Sequence, residues 1–349
     1  MNINNGTNIS MLPGLNRGFS LVELMVALVI TLILLTGIGQ IFLSSKKSFL
    51  IQDSLGRMQE NGRYAMETIA QDVRRAGFWG GNADITAIED HTPGGNSNGG
   101  KVATDDGTCS DANWARMLTH RIFGKNDSRA SYTCLPSDTT HKGDILVLRY
   151  AAPWEVGDVT TPNFVENQVY LRSSLFEGRL FQCTRGCPES AAYPIDAPAV
   201  RTAELVAHGY FIHYAPTVPD RCPTAGKVPS LYRMALVNDS SGTEPKLNAE
   251  EIAYGVDDLQ VQYGVDDANI CGVGTTNDNS VDCFVDAPAA GDSAWSKIIA
   301  ARIWLLVRAE CPETGFTNES TYTMAGTDNK PADNYRRQLY TSTVMLRNR

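Results

Sequence analysis

The chain has 349 residues, 42% of them hydrophobic, with a formal net charge of -9 when histidine is neutral. That is enough apolar content for one large folded domain or two ordinary ones. No run of Lys or Arg builds a polybasic tract, so nucleic acid is not an expected partner.

Residues 1–18 are polar, rich in Asn and Gly, and end in Asn16-Arg17-Gly18. Phe19 to Leu43 follows as an apolar run of 25 residues with a single charge, Glu23. As a helix this run is long enough for a hydrocarbon core of about 30 Å. A carboxylate inside it costs a few kcal/mol on insertion scales, which marks Glu23 as functional. In lipid it is expected to be neutralised or paired, and the cation at hand is an N-terminal amine at Phe19, its own or a neighbour's. A secretory signal places its cleavage site after the apolar run; here the small residue and the positive charge come before it.

From Ser44 to Gly77 the pattern turns amphipathic. Leu55, Met58, Ala65, Met66, Ile69, Ala70, Val73 and Ala76 fall mostly at three- and four-residue steps. Arg57, Gln59, Glu60, Arg63, Glu67, Gln71, Asp72, Arg74 and Arg75 are assigned to the other faces. One helix over 19–76 measures about 87 Å, too long for a compact domain to bury. Its first half is expected in membrane or among other subunits, its second half against the body. Gly37, Gly39, Gly56 and Gly62 weaken it, which fits either close helix packing or local melting on leaving lipid. Gly77-Phe78-Trp79-Gly80-Gly81 ends it.

The rest, 78–349, reads as a soluble β-rich domain that opens with an exposed loop over 91–107. Strands are predicted at 144–150 (buried on both faces), 168–172, 180–183, 205–214, 231–237 and 259–263. A further strand over 297–308, entered through a short helical turn, and one over 336–346 complete the set. Tyr-Gly-Val-Asp-Asp occurs at 254–258 and again at 263–267, which reads as one strand flanked by similar turns.

Eight cysteines, Cys109, Cys134, Cys183, Cys187, Cys222, Cys271, Cys283 and Cys311, all follow the apolar run. An even number in that region predicts disulfides in an oxidising compartment, although two thiolates are also half of a zinc tetrad. The number of possible connectivities leaves the pairing open. The Asp/Asn-rich stretch 266–282 offers hard oxygen ligands that suit calcium, or is simply a solvated loop. Gly-x-Ser-x-Gly, His-Glu-x-x-His, P-loop and dinucleotide fingerprints do not occur, so an enzyme is not expected and no cofactor is implied.

Gly18-Phe19-Ser20-Leu21-Val22-Glu23-Leu24 resembles the class III leader and processing site of type IV prepilins and pseudopilins. Three further stretches resemble the PilW family of minor pilins: 59–64 with 72–77, 255–264, and 302–308 with 336–340 and 343–347. The resemblance implies an α+β fold of type IV pilin type, with a long N-terminal helix packed on a large antiparallel sheet domain bearing disulfides. It divides the chain into a leader (1–18), an assembly helix (19–43), its amphipathic continuation (44–77) and the globular domain (78–349). It implies that prepilin peptidase cuts after Gly18 and methylates Phe19, and that Glu23 pairs with the Phe19 amine of an adjacent subunit. Other minor pilins, the major pilin and a large tip adhesin of the PilY1 type are the partners it implies. The protein would sit in the inner membrane as a single-pass chain with a periplasmic body, then in the extracellular pilus. A tip pseudopilin of type II secretion shares the leader and fold and is the main rival; a DNA-binding pilin and a direct surface adhesin are others.

Overall fold

The computed structural model describes residues 18–93, 99–105, 111–114, 116–127, 135, 143–156, 164–183, 194–214, 222, 227–238, 245–274 and 277–348. The leader up to Arg17 and Cys109, Cys134 and Cys187 lie outside the described residues. The chain divides into two compact units, Met1–Asp53 and Ser54–Arg349, and helix α1 (Leu21–Arg75) begins in the first and ends in the second.

In the first unit α1 has exposed side chains from Leu21 to Leu50 and is long and apolar enough to cross a membrane. Its two threonines satisfy themselves within the helix: Thr31 Oγ1 donates to Ala27 O at 2.7 Å and Thr36 Oγ1 to Leu32 O at 2.8 Å. Glu23 is therefore the one side chain between Ser20 and Leu43 with a charge to satisfy.

In the second unit the sequence period becomes burial. Met58, Ala65, Ile69, Ala70, Val73 and Ala76 are buried, and α1 stops where expected, with Gly77 in the left-handed region at φ 77°. The short helices are α2 (Asp111–Trp114) and α3 (Ala268–Cys271). Strands β1 (Ile88–Asp90), β2 (Gly100–Lys101), β3 (Ile122–Lys125), β4 (Ile145–Ala151), β5 (Val169–Ser173), β6 (Gly178–Gln182), β7 (Arg201–Tyr214), β8 (Pro229–Val237) and β9 (Lys246–Tyr254) form a nine-stranded sheet. Strands β10 (Val256–Val265), β11 (Cys283–Val285), β12 (Ile298–Arg308) and β15 (Arg337–Met345) form a second sheet in the order β11-β10-β12-β15, and β13 (Tyr322–Met324) and β14 (Thr327–Asn329) make a hairpin. Among the described residues every strand pairing is antiparallel except β1 with β6.

The fourteen-residue β7 is the spine of the first sheet, holding β5 through Arg201–Glu204, β4 through Leu205–Tyr210 and β8 through His208–Tyr214. One core joins both sheets to the helix: Ile69 and Val73 from α1, Val147 and Leu231 from the first sheet, Ile303 and Val344 from the second. Two of the contacts that stitch the sheets together lie at β10. Gly255, at φ 82°, is the single residue between β9 and β10, and its C=O accepts from Arg308 N at 2.7 Å. A Cβ there would lie 2.8 Å from Arg308 O, so glycine is required for space as well as for φ. The second stitch is Asp144, whose N–H donates to Leu259 O while its carboxylate accepts from Val261 N, each at 2.7 Å.

The repeated pentapeptide thus has two structures rather than two similar turns. The first copy is the corner between sheets; the second ends β10, and its last residue, Asp267, caps α3 through Asn269 N. The strands expected at 144–150, 259–263 and 336–346 are present within a few residues, and 297–308 is a strand entered through a single-turn 3-10 helix at Ser293–Lys297. β9 is an addition: Lys-Leu-Asn-Ala-Glu-Glu-Ile-Ala-Tyr is rich in helix formers, and its place beside β8 overrides that preference.

Candidate assembly site

Phe19 and Glu23 open α1. Phe19 is 82% exposed, and Glu23 lies in the first helical turn, where a carboxylate faces the positive end of the helix dipole. Backbone hydrogen bonding of the helix starts at Leu24 N to Ser20 O, 3.1 Å. Gly18, Phe19 and Glu23 are therefore together on one helix end, four residues separating the carboxylate from the Phe19 nitrogen, which becomes a free amine if the chain is cut after Gly18.

The amphipathic half of α1 is anchored in the body by a polar group. Asp72 is 4% exposed and accepts hydrogen bonds from Tyr150 Oη (2.7 Å), Tyr210 Oη (2.6 Å) and the His208 Nδ1 edge (2.5 Å). Burial works to raise its pKa, but the His208 hydrogen bond and charge with the two hydroxyls more than offset it, and the carboxyl sits below its ordinary value. This corrects the assignment of Asp72 to a face other than the apolar one. The spacing Ala65, Ile69, Asp72, Ala76 steps four, three and four, which puts Asp72 in the apolar stripe.

Two contacts fix the helix end and flank. Asn348 Nδ2 donates to the Arg74, Arg75 and Ala76 carbonyls at 3.2–3.4 Å, covering orphan acceptors of the last turn. Tyr340 of β15 lies across Gly62: a Cβ on Gly62 would sit 2.3 Å from the ring, whereas nothing lies within 4 Å of one built on Gly37, Gly39 or Gly56. Gly62 thus has a packing role inside the body. The start of β15 is held by Arg337, which donates to Asp333 at 2.6 and 2.7 Å and to Asp257, beside the Gly255 corner, at 2.7 Å.

The described cysteines are all in disulfides: Cys222 with Cys311, Cys271 with Cys283, and Cys183. None of these is a zinc ligand. The acidic stretch 266–282 spends its carboxylates on its own backbone. Asp266 accepts from Asp278 N and Asn279 N, Asp267 caps α3, and Asp278 closes a turn to Ser280. Among the described residues no group of three or more His, Cys, Asp or Glu is arranged to hold a metal.

A family model described as type IV pilus-assembly protein W matches residues 217–348, and one described as the prokaryotic N-terminal methylation motif matches residues 15–39. The chain carries a PilW domain and, at its N-terminal end, a methylation motif. The PilW match takes in β8 to β15, the Gly255 corner, both mapped disulfides and the Asn348 cap. Among solved structures it is similar to a type IV-like pilin from Thermus thermophilus, at 14% identity over 59% of this chain and 78% of that one, with a TM-score of 0.29. It is also similar to a chain of the GspK-GspI-GspJ complex of the type 2 secretion system of enterotoxigenic Escherichia coli, at 10% identity over 82% and 96%, with a TM-score of 0.28. At those scores neither likeness decides anything further. No curated protein matches the chain.

Proposed function

We propose that this minor pilin primes assembly of a type IV pilus and remains in the complex at its tip, supporting adhesion and twitching motility. Prepilin peptidase cuts after Gly18 and methylates Phe19; the helix then holds the protein in the inner membrane, with the body in the periplasm, until the subunit enters the fibre. There Glu23 pairs with the Phe19 amine of an adjacent subunit and sets its register. The other minor pilins, the major pilin and a large tip adhesin of the PilY1 type are its partners.

The observation that carries this reading is the presence, in one chain, of the methylation motif at 15–39 and the PilW domain at 217–348. A body as large as residues 78–349 also favours a tip position, because it is awkward to repeat along a close-packed shaft. Deletion of the gene tests the proposal against the pseudopilin alternative. Loss of surface pili and twitching with secretion intact is the expected phenotype; lost secretion with normal pili assigns the chain to type II secretion instead.

A further inference from the structure

The open edge of the second sheet is unlike the other edges. Among the described residues the edge strands β2, β3 and β11 have two to four residues. β9 is long, but it carries Lys246, Glu250 and Glu251, its ladder shifts register at Leu231/Tyr232, and its Tyr254 carbonyl is taken by Asn61. Charges and bulges of that kind are what normally guard a long edge. β15 has nine residues, pairs with β12 without a register shift, and holds no charge, Pro or Gly from Gln338 to Met345.

The direction of its free groups follows from the ladder. Leu346 N donates to Ile299 O and Arg336 O accepts from Ala309 N, both at 2.9 Å. By antiparallel alternation the even-numbered residues bond to β12, and Leu339, Thr341, Thr343 and Met345 turn their N–H and C=O outward. Where Tyr340 meets α1 there is a groove lined by Gln59, Glu60, Arg63, Tyr64, Glu67 and Tyr340, whose own carboxylates disfavour acidic side chains on an incoming strand. Tyr64 is 58% exposed there.

We propose that β15 is a strand-addition site, which takes an extended segment of a different polypeptide as a fifth, antiparallel strand, with side chains on one face entering the groove beside Tyr64 and Tyr340. Charge selects the occupant. Arg347 is exposed and has no ion-pair partner among the described residues. A second copy pairing β15 to β15 in full overlap would set Arg336 and Arg337 opposite Arg347, and the carboxylates at that end, Glu313, Asp257 and Asp333, are already paired with those two arginines, so it brings Arg347 no free partner. The fitting strand is neutral along its length and carries a carboxylate near its N-terminal end, where it passes Arg347. This goes beyond the proposed function and does not rest on it.

The test is amide hydrogen exchange on the full chain in detergent, with a synthetic peptide of about nine alternating Thr and Val residues beginning with Asp as the probe. The peptide is expected to slow exchange at Leu339, Thr341, Thr343 and Met345 by about tenfold or more while the even-numbered amides stay unchanged. Thr343→Pro removes an outward donor without costing a bond to β12, so it should abolish the slowing with the circular dichroism spectrum intact. If that variant does not fold, Thr343→Lys replaces it, with the same loss expected. No slowing, or equal slowing in the variant, overturns the proposal. Slowing that appears without peptide and grows with protein concentration also overturns it, in favour of a second copy.

Discussion

Asp72 is the residue that ties the helix to the body, and its environment dictates how stability should follow pH. Its pKa is depressed in the fold, so its contribution is present above the ordinary carboxyl value of 3.8 and is lost as pH falls through the folded value. Asp144 behaves in the opposite way. Burial, offset only in part by bonds from Val261 and Asp127 N–H groups, pushes it up to about 7, and burial pushes neighbouring Asp258 up to about 6. Ionising either one destabilises the sheet junction, so stability is gained as pH falls from about 7 towards 3.8. The melting temperature of the purified protein should therefore peak on the acid side of neutrality. Asp144→Asn should flatten the alkaline limb and Asp72→Asn the acid limb.

Glycine provides a second residue-scale contrast. Gly62→Ala has to displace the Tyr340 ring and should cost about 1–3 kcal/mol in denaturant unfolding, whereas Gly56→Ala meets open space and should stabilise the helix by up to about 1 kcal/mol. Equal effects at the two sites would contradict the packing role of Gly62. At the N-terminus, the proposed pairing of Glu23 with a neighbouring amine predicts that Glu23→Val leaves membrane insertion and cleavage intact but reduces the amount of this protein in sheared fibres. Normal incorporation would remove Glu23 from the assembly contact.

Among the elements, α1 was the most readable, since its apolar period, its Gly77 stop and its change of character near Ser44 are all local. Asp72 is the exception: its charge points to a face other than the apolar one, although its spacing from Ile69 and Ala76 puts it on the stripe. The isolated strands of the second sheet were readable too: β10 alternates Leu259, Val261 and Tyr263, and β12 is a long β-branched run closed by Cys311-Pro312. β9 was hidden because its residues prefer helix and only the neighbouring strand makes it extended. Disulfide pairing is non-local and could not be read at all. The two mapped bridges differ in span, 89 residues for Cys222–Cys311 and 12 for Cys271–Cys283. On the chain-entropy model the first stabilises by about 4–5 kcal/mol and the second by about 3 kcal/mol. Replacing both cysteines of each pair by serine should lower the urea midpoint more for the first pair than for the second.

At the scale of the whole molecule, the chain joins an apolar helix behind a methylation motif to a body whose C-terminal part is a PilW domain. Asn348 and Tyr340 bring residues 340–348 back to the amphipathic half of the helix, where two of the stretches that resembled the family meet. Helix residues beyond Ser54 contribute to the core, whereas the apolar side chains up to Leu43 are exposed, and the proposed function gives them to lipid and neighbouring subunits. Mass spectrometry of the N-terminus of this protein, recovered from sheared surface fibres, tests that account most directly. A chain beginning at N-methylated Phe19 in the fibre fraction is the predicted result; a chain that keeps residues 1–18, or that is absent from the fibres and confined to the membrane, would contradict it.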